Sequence, residues 1–249
     1  MKKVNFLGTI GVAIIIAFCS LLVSCMEETT EVVSQELVVI ENTSLCVLNN
    51  TNDSVVAYLT LGSVGDTNYV QSTVGIFGIL TSGTQNSFVL APHDTLCYMS
   101  PIGKGFNGNI SFGVPPQNCP DTTQLPNGIN LFEFALNNAF NVNGQETIDI
   151  SCVSGVNSYI MVSMFNGGAW NNGDDTVKVF RNGDLYENTG LTGVFPFGCD
   201  SCVGITPRTP YCAGHKPYAI PQAKNMCNIQ RNSKANGGAI LVQFNGFAK

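Results

Sequence analysis

Short stretches in which apolar and polar residues alternate are spread along most of the chain, and no long segment repeats at the 3.6-residue helical period. The strand-like runs are Ser44 to Leu48, Val55 to Leu61, Ser87 to Leu90, Thr95 to Met99, Asn109 to Phe112, Leu131 to Leu136, Thr147 to Val153, Tyr159 to Met164, Thr176 to Phe180 and Ala239 to Phe244. Asn-Gly occurs eight times, at Asn107, Asn127, Asn143, Asn166, Asn172, Asn182, Asn236 and Asn245, and this dipeptide readily supplies the two positive φ angles of a type I′ hairpin turn. Many short strands with frequent turn signals predict an all-β chain, a sandwich or a barrel. Gln222 to Arg231 reads at best as one short helix.

The N-terminus has a different pattern. Lys2 and Lys3 precede an apolar run from Val4 to Val23 that ends in Leu22-Val23-Ser24-Cys25, the layout of a signal peptide. The small residue before Cys25 resembles a bacterial lipobox. We therefore expect residues 1–25 to be a leader, Cys25 to be the lipid-attachment residue, and the chain to sit in the cell envelope or outside the cell, anchored to a membrane surface. An ordinary cleaved signal and an uncleaved anchor helix are the alternatives. Residues 26–43 read as a polar tether, 44–189 plus 236–249 as the β-sandwich, and 190–235, with Pro196, Pro207, Pro210, Pro217 and Pro221, as a Cys/Pro-rich loop excursion.

Composition narrows the function. Only 11% of the 249 residues are charged and the net charge is −6, or −8 once Lys2 and Lys3 leave with the leader. No basic cluster exists to bind a phosphate backbone, so no nucleic-acid partner is expected, and a monomer is. Four Asn-x-Ser/Thr sequons, at Asn42, Asn49, Asn52 and Asn109, are expected by chance in a chain with 27 asparagines. Beyond the leader lie Cys46, Cys97, Cys119, Cys152, Cys199, Cys202, Cys212 and Cys227, and eight cysteines in an exported chain favour four disulfides of undetermined connectivity. Cys199, Cys202, Cys212 and His215 have zinc-ribbon-like spacing, but three bound thiolates would leave an odd number for pairing. No metal and no cofactor are expected.

His93 and His215 are the two histidines, and neither lies in a nucleophile motif; His93, in Ala91-Pro-His-Asp-Thr95, reads as a surface turn. Asn171 to Asp175 lacks the ligand alternation of an EF-hand loop. More informative are Glu133, between Phe132 and Phe134, and Asp149, between Ile148 and Ile150. Strand alternation points each away from its apolar neighbours. Two carboxylates on one polar face can do acid/base work on a glycosidic bond, at about 5–5.5 Å for a retaining mechanism and about 6.5–9.5 Å for an inverting one. From spacing alone, each reads first as the solvent side of a half-buried strand.

Glu133-Phe-Ala-Leu-Asn137, then Thr147-Ile-Asp-Ile-Ser151 and Ser154-Gly-Val-Asn157, resembles the thaumatin-like protein family in order and approximate spacing. Val47 to Tyr58 is similar to that family's first hairpin, and Leu90 to Phe112 and Ile240 to Phe244 to two later segments. The resemblance implies an antiparallel β-sandwich with a disulfide-stapled loop region and a cleft between them. It also implies binding of a neutral polysaccharide such as β-1,3-glucan, with weak hydrolysis or enzyme inhibition in some members. Glu133 and Asp149 match two acids of the family's cleft. Ser154 stands where another Asp is common and Gly113 about where an Arg is. The expectation is a polysaccharide-binding protein with Glu133, Asp149, Ser154 and Trp170 at the ligand, Trp170 or Phe165 as stacking face. A weak endo-β-1,3-glucanase using Glu133 and Asp149 and a surface adhesin or inhibitor without a sugar ligand are the alternatives.

Overall fold

A computed structural model describes residues 42–117, 127–138, 144–173, 175–182, 192–195, 227–232 and 237–248. The leader, Cys25, most of the tether, Cys119, Cys199, Cys202, Cys212 and His215 lie outside the described residues. One sheet has five strands in the order β11-β8-β14-β1-β4. These are β1 (Ser44–Asn49), β4 (Thr95–Met99), β8 (Ser158–Phe165), β11 (Val179–Arg181) and β14 (Ala239–Phe247). The second runs β10-β9-β13-β7-β6-β5-β2-β3, with β12 pairing β7 off that path. Its strands are β2 (Val55–Leu61), β3 (Gln85–Leu90), β5 (Phe106–Phe112), β6 (Gly128–Leu136), β7 (Gln145–Gly155), β9 (Trp170–Asn172), β10 (Asp175–Val177), β12 (Val194–Phe195) and β13 (Ile229–Asn232).

The all-β prediction holds, and its β2 and β4 agree with the structure to the residue. Alternation makes the sandwich. Leu45 and Val47 from the small sheet meet Leu59, Ile110, Phe132, Ile148 and Ile150 from the large one in a single buried core. Phe112 of β5 lies 4.9 Å from Phe244 of β14, and Tyr98 of β4 lies 4.9 Å from Phe106, ring centre to ring centre across the layers. Pairing is mostly antiparallel, but β1 runs parallel to β14 and β12 to β7. The N-terminal strand is thus inserted between β14 and β4, so the two ends of the sandwich stand side by side.

Several expectations need correction. Asn107-Gly108 is no turn: it lies inside β5, where a Cβ on Gly108 would come within 2.2 Å of the Thr60 carbonyl oxygen of β2. Here glycine serves a close approach of strands. Asn245-Gly246 sits inside β14, at an irregularity between Phe244 and Phe247. Asn166-Gly167 does have both φ angles positive, 57° and 70°, as a type I′ turn requires. Residues 229–231 of Gln222–Arg231, read as a short helix, belong to strand β13, paired with β7, and β12 comes from the same 190–235 segment assigned to a loop excursion. Thr43, at the end of the segment read as a tether, is buried and donates to Glu146 of β7.

Asparagines account for much of the polar interior. Asn49 is buried and donates to the carbonyls of Asp53 and Ala91 at 2.7 and 3.0 Å, which also removes it as a glycosylation acceptor. Asn130 Oδ1 accepts from the backbone of Asn157 and from both donors of Ser158, and Asn182 bonds Ile160 N and Ser158 O. The amide side chain mimics a peptide group, so it completes ladders where strands end.

A buried charge pair joins β13 to β7 at directly opposed positions. Arg231 Nε donates to Glu146 Oε2 at 2.6 Å with both side chains almost wholly out of solvent. Glu146 Oε1 accepts from Asn137 N and Thr43 Oγ1, both at 2.8 Å. The guanidinium also donates to the carbonyls of Gly168 and Gly237 and lies 4.4 Å from the centre of the Trp170 ring.

Cys46 and Cys97 form a disulfide at directly opposed positions of β1 and β4. Cys227 is disulfide-bonded as well. Cys152 is not: it is a free, fully buried thiol. In β7 it follows Ile148 and Ile150 on the core-facing side, so it fills an apolar position, and burial together with the nearby Asp149 charge pushes its pKa upward. Four disulfides from eight cysteines is therefore corrected to at most three.

Candidate functional site

The large sheet turns a polar surface away from the core. Five residues stand in one register row across it: Gln85, Thr60, Asn109, Glu133 and Asp149, each directly opposite the next on β3, β2, β5, β6 and β7. At about 4.8 Å per strand the row is roughly 19 Å long. Gln85 Nε2 donates to Thr60 Oγ1 at 3.1 Å, so the row begins as a bonded ladder.

Glu133 lies between two adjoining depressions. One, about 270 Å³, is lined by Asn109, Gln117, Leu131, Glu133, Ser151 and Ser154 among others. The second, about 350 Å³, brings Glu133 together with Asp149, Asn107, Asn109 and Thr147. The sequence expectation that Glu133 and Asp149 are neighbours is met in its strongest form, a directly opposed cross-strand pair. Their Cβ atoms are then about 5 Å apart. Ser154 shares the first depression with Glu133. Trp170 does not belong here: it is 3% exposed, within the core and covered by Arg231, so the proposed stacking face is withdrawn. Phe165 is half exposed on β8, in the other sheet. His93 is an exposed turn residue with a φ of 59°, hydrogen-bonded to Asn52.

Gly113 has no room for the arginine that the resemblance would place there. Its φ is 78°, a conformation side chains avoid, and a Cβ would come within 2.6 Å of the Phe247 ring. The consequence is electrostatic. Among the described residues, neither depression is lined by a lysine, arginine or histidine. Burial raises the pKa of Glu133, with a hydrogen bond from Ser151 acting in the opposite direction. Burial, and secondly the Glu133 charge, hold Asp149 well above the ordinary carboxylate range. Asp149 Oδ1 and Asn109 Oδ1 are buried and accept no hydrogen bond. Asn109 was legible in the sequence only as a strand and sequon residue; its place beside the acids comes from the β5–β6 register.

No protein-family model and no curated protein matches the chain. Solved structures that it is similar to include the thaumatin-like xylanase inhibitor TLXI, at TM-score 0.37 and 11% identity over 81% of this chain and 98% of that one. The protein elicitor MoHrip2 from Magnaporthe oryzae is another, at TM-score 0.35 and 11% identity over the same shares. The first likeness is to a thaumatin-like protein. The two-sheet fold described above stands on the chain's own strand register.

The acid pair carries a pH dependence. A carboxyl whose pKa is higher in the folded than in the unfolded state binds its proton more tightly when folded, so it favours folding at low pH and the advantage is lost as pH rises. In metal-free buffer, stability should decline as pH is raised from about 4, the unfolded carboxylate pKa, through the raised folded values. Asp149→Asn should flatten that decline and stabilise the neutral-pH protein by about 0.5–2 kcal/mol. Thermal melts of both proteins between pH 4 and 8 measure it; a wild type that gains stability over that range relative to Asp149→Asn would contradict it.

Proposed function

We propose that this chain is an exported, lipid-anchored, thaumatin-like protein that binds a neutral polysaccharide, such as a β-1,3-glucan, along the polar row of its large sheet. The single observation that carries the reading is the alignment of Thr60, Asn109, Glu133 and Asp149 in one row beside open depressions. Sugar hydroxyls both donate and accept, which suits the amide and carboxylate side chains that line the second depression. A neutral ligand suits a surface whose described lining has acids and no cation to pair an anion. Anchoring through Cys25 follows from the leader pattern alone.

Binding ranks above hydrolysis because Asp149 is 7% exposed, which leaves a poor path for a nucleophile to an anomeric carbon. Glu133, partly exposed with a raised pKa, is the group suited to donating a proton. The test is retention of mature protein, residues 26–249 with Cys25→Ser, on insoluble β-1,3-glucan, with released reducing sugar assayed in the same tube. We expect retention without release and at least tenfold weaker binding by Glu133→Gln, the loss of one charged hydrogen bond. Release of sugar abolished by Glu133→Gln would establish the glucanase. No affinity for any β-glucan would overturn both.

A further inference from the structure

Asn109, Glu133 and Asp149 occupy consecutive cross-strand positions on β5, β6 and β7 and line one solvent-open depression. Each presents oxygen. Two of these oxygens, Asn109 Oδ1 and Asp149 Oδ1, are buried without a hydrogen-bond donor, and Asp149 as a whole is 93% shielded. An unsatisfied buried acceptor is costly, and more so when it is charged. Carboxylates directly opposite each other on paired strands repel. The fold elsewhere neutralises its buried acid with a guanidinium, as Arg231 does for Glu146. On this face the described residues supply no cationic side chain to the lining of either depression.

We propose that Asn109, Glu133 and Asp149 hold a divalent, oxygen-seeking cation of the Ca²⁺ class. The inference goes beyond the polysaccharide reading and does not depend on it. One such ion would meet both orphaned oxygens and cancel the repulsion of the acid pair together. The donor set is amide and carboxylate oxygen with no imidazole or thiolate, which selects Ca²⁺ or Mg²⁺ over transition metals and zinc. Three side chains projecting from a twisted sheet, with water completing the shell, suit the irregular six- to eight-fold coordination of Ca²⁺ better than the strict octahedron of Mg²⁺. With two carboxylates the site is weak. Its dissociation constant belongs at about 10⁻⁴–10⁻³ M, the range of extracellular calcium modules.

The experiment is calorimetric titration of EDTA-stripped, dialysed mature protein with CaCl₂, and with MgCl₂ in parallel, together with thermal melts at 10 mM of each ion. Wild type should bind Ca²⁺ in the stated range, more tightly than Mg²⁺, and its Tm should rise by roughly 3–10 °C. Glu133→Gln and Asp149→Asn should each weaken binding at least tenfold. Asn109→Asp, which puts a third carboxylate in the row, should tighten it about tenfold, a gain that a damaged fold would not imitate. Absence of both heat and Tm shift in wild type, or an equal Tm shift in the Glu133→Gln/Asp149→Asn double variant, would overturn the site. Glucan retention measured in EDTA separates the two ideas: retention there without any calcium effect sinks the cation and leaves polysaccharide binding standing, and calcium binding without retention does the reverse.

Discussion

Replacing Arg231 with alanine should destabilise the protein by about 3–5 kcal/mol, the cost of leaving a buried carboxylate without its partner. Glu146 has no exposure at all, and its Oε2 is bonded to Arg231 Nε. The loss would reach beyond the pair. Arg231 also holds the carbonyls of Gly168 and Gly237 and covers Trp170, so its removal unties β13 from the turns that precede β9 and β14. Glu146→Gln should be milder in combination than alone, because the double variant Arg231→Ala/Glu146→Gln leaves no unpaired charge inside. Denaturant unfolding of the four proteins gives the coupling as a double-mutant cycle. A single variant that unfolds within 1 kcal/mol of wild type would show that water reaches Glu146.

Loss of the Cys46–Cys97 disulfide, by Cys46→Ser with Cys97→Ser, should cost about 2–4 kcal/mol. The bond joins residues 51 apart in sequence, and the chain-entropy estimate for a loop of that length is about 4 kcal/mol. The expected value falls below that estimate because β4 is still held by its ladder to β1 and by the Tyr98 contact with Phe106. The bond is placed where a staple is most useful: β4 is the edge of the small sheet, and β1 is its neighbour. Cys46 is half-buried and Cys97 exposed, on the face turned away from Leu45 and Val47. Equilibrium unfolding in urea measures the loss, and an unchanged midpoint would mean that the unfolded chain is already constrained there. Cys152, enclosed in the core with its thiol pKa raised, offers no replacement partner.

The strands with clean alternation were readable because their burial is decided locally. Val55 to Leu61 and Thr95 to Met99 each turn one face to the core, and their period announces it. The acids were readable for the same reason: Glu133 and Asp149 interrupt apolar runs at positions that must point outward. β9, β12 and β13 were not readable. They are two to four residues long, too short for a period, and exist because β7 and its neighbours offer open edges to pair with. The Asn-Gly signal misled at Asn107 and Asn245 because glycine also serves strand crowding and bulges, and the dipeptide is the same in all three settings.

Local pattern, then, determined the all-β character and the two carboxylates on the sheet face opposite the core, since each depends on neighbours within a few residues. Tertiary structure alone decided the rest. It set the register that puts Asn109, Glu133 and Asp149 in one row, paired Cys46 with Cys97 while leaving Cys152 in the core, buried Trp170 beneath Arg231, and filled the space beside Gly113 with Phe247. These contacts join residues far apart in the chain, and a period of two says which side a residue faces but not what stands opposite it.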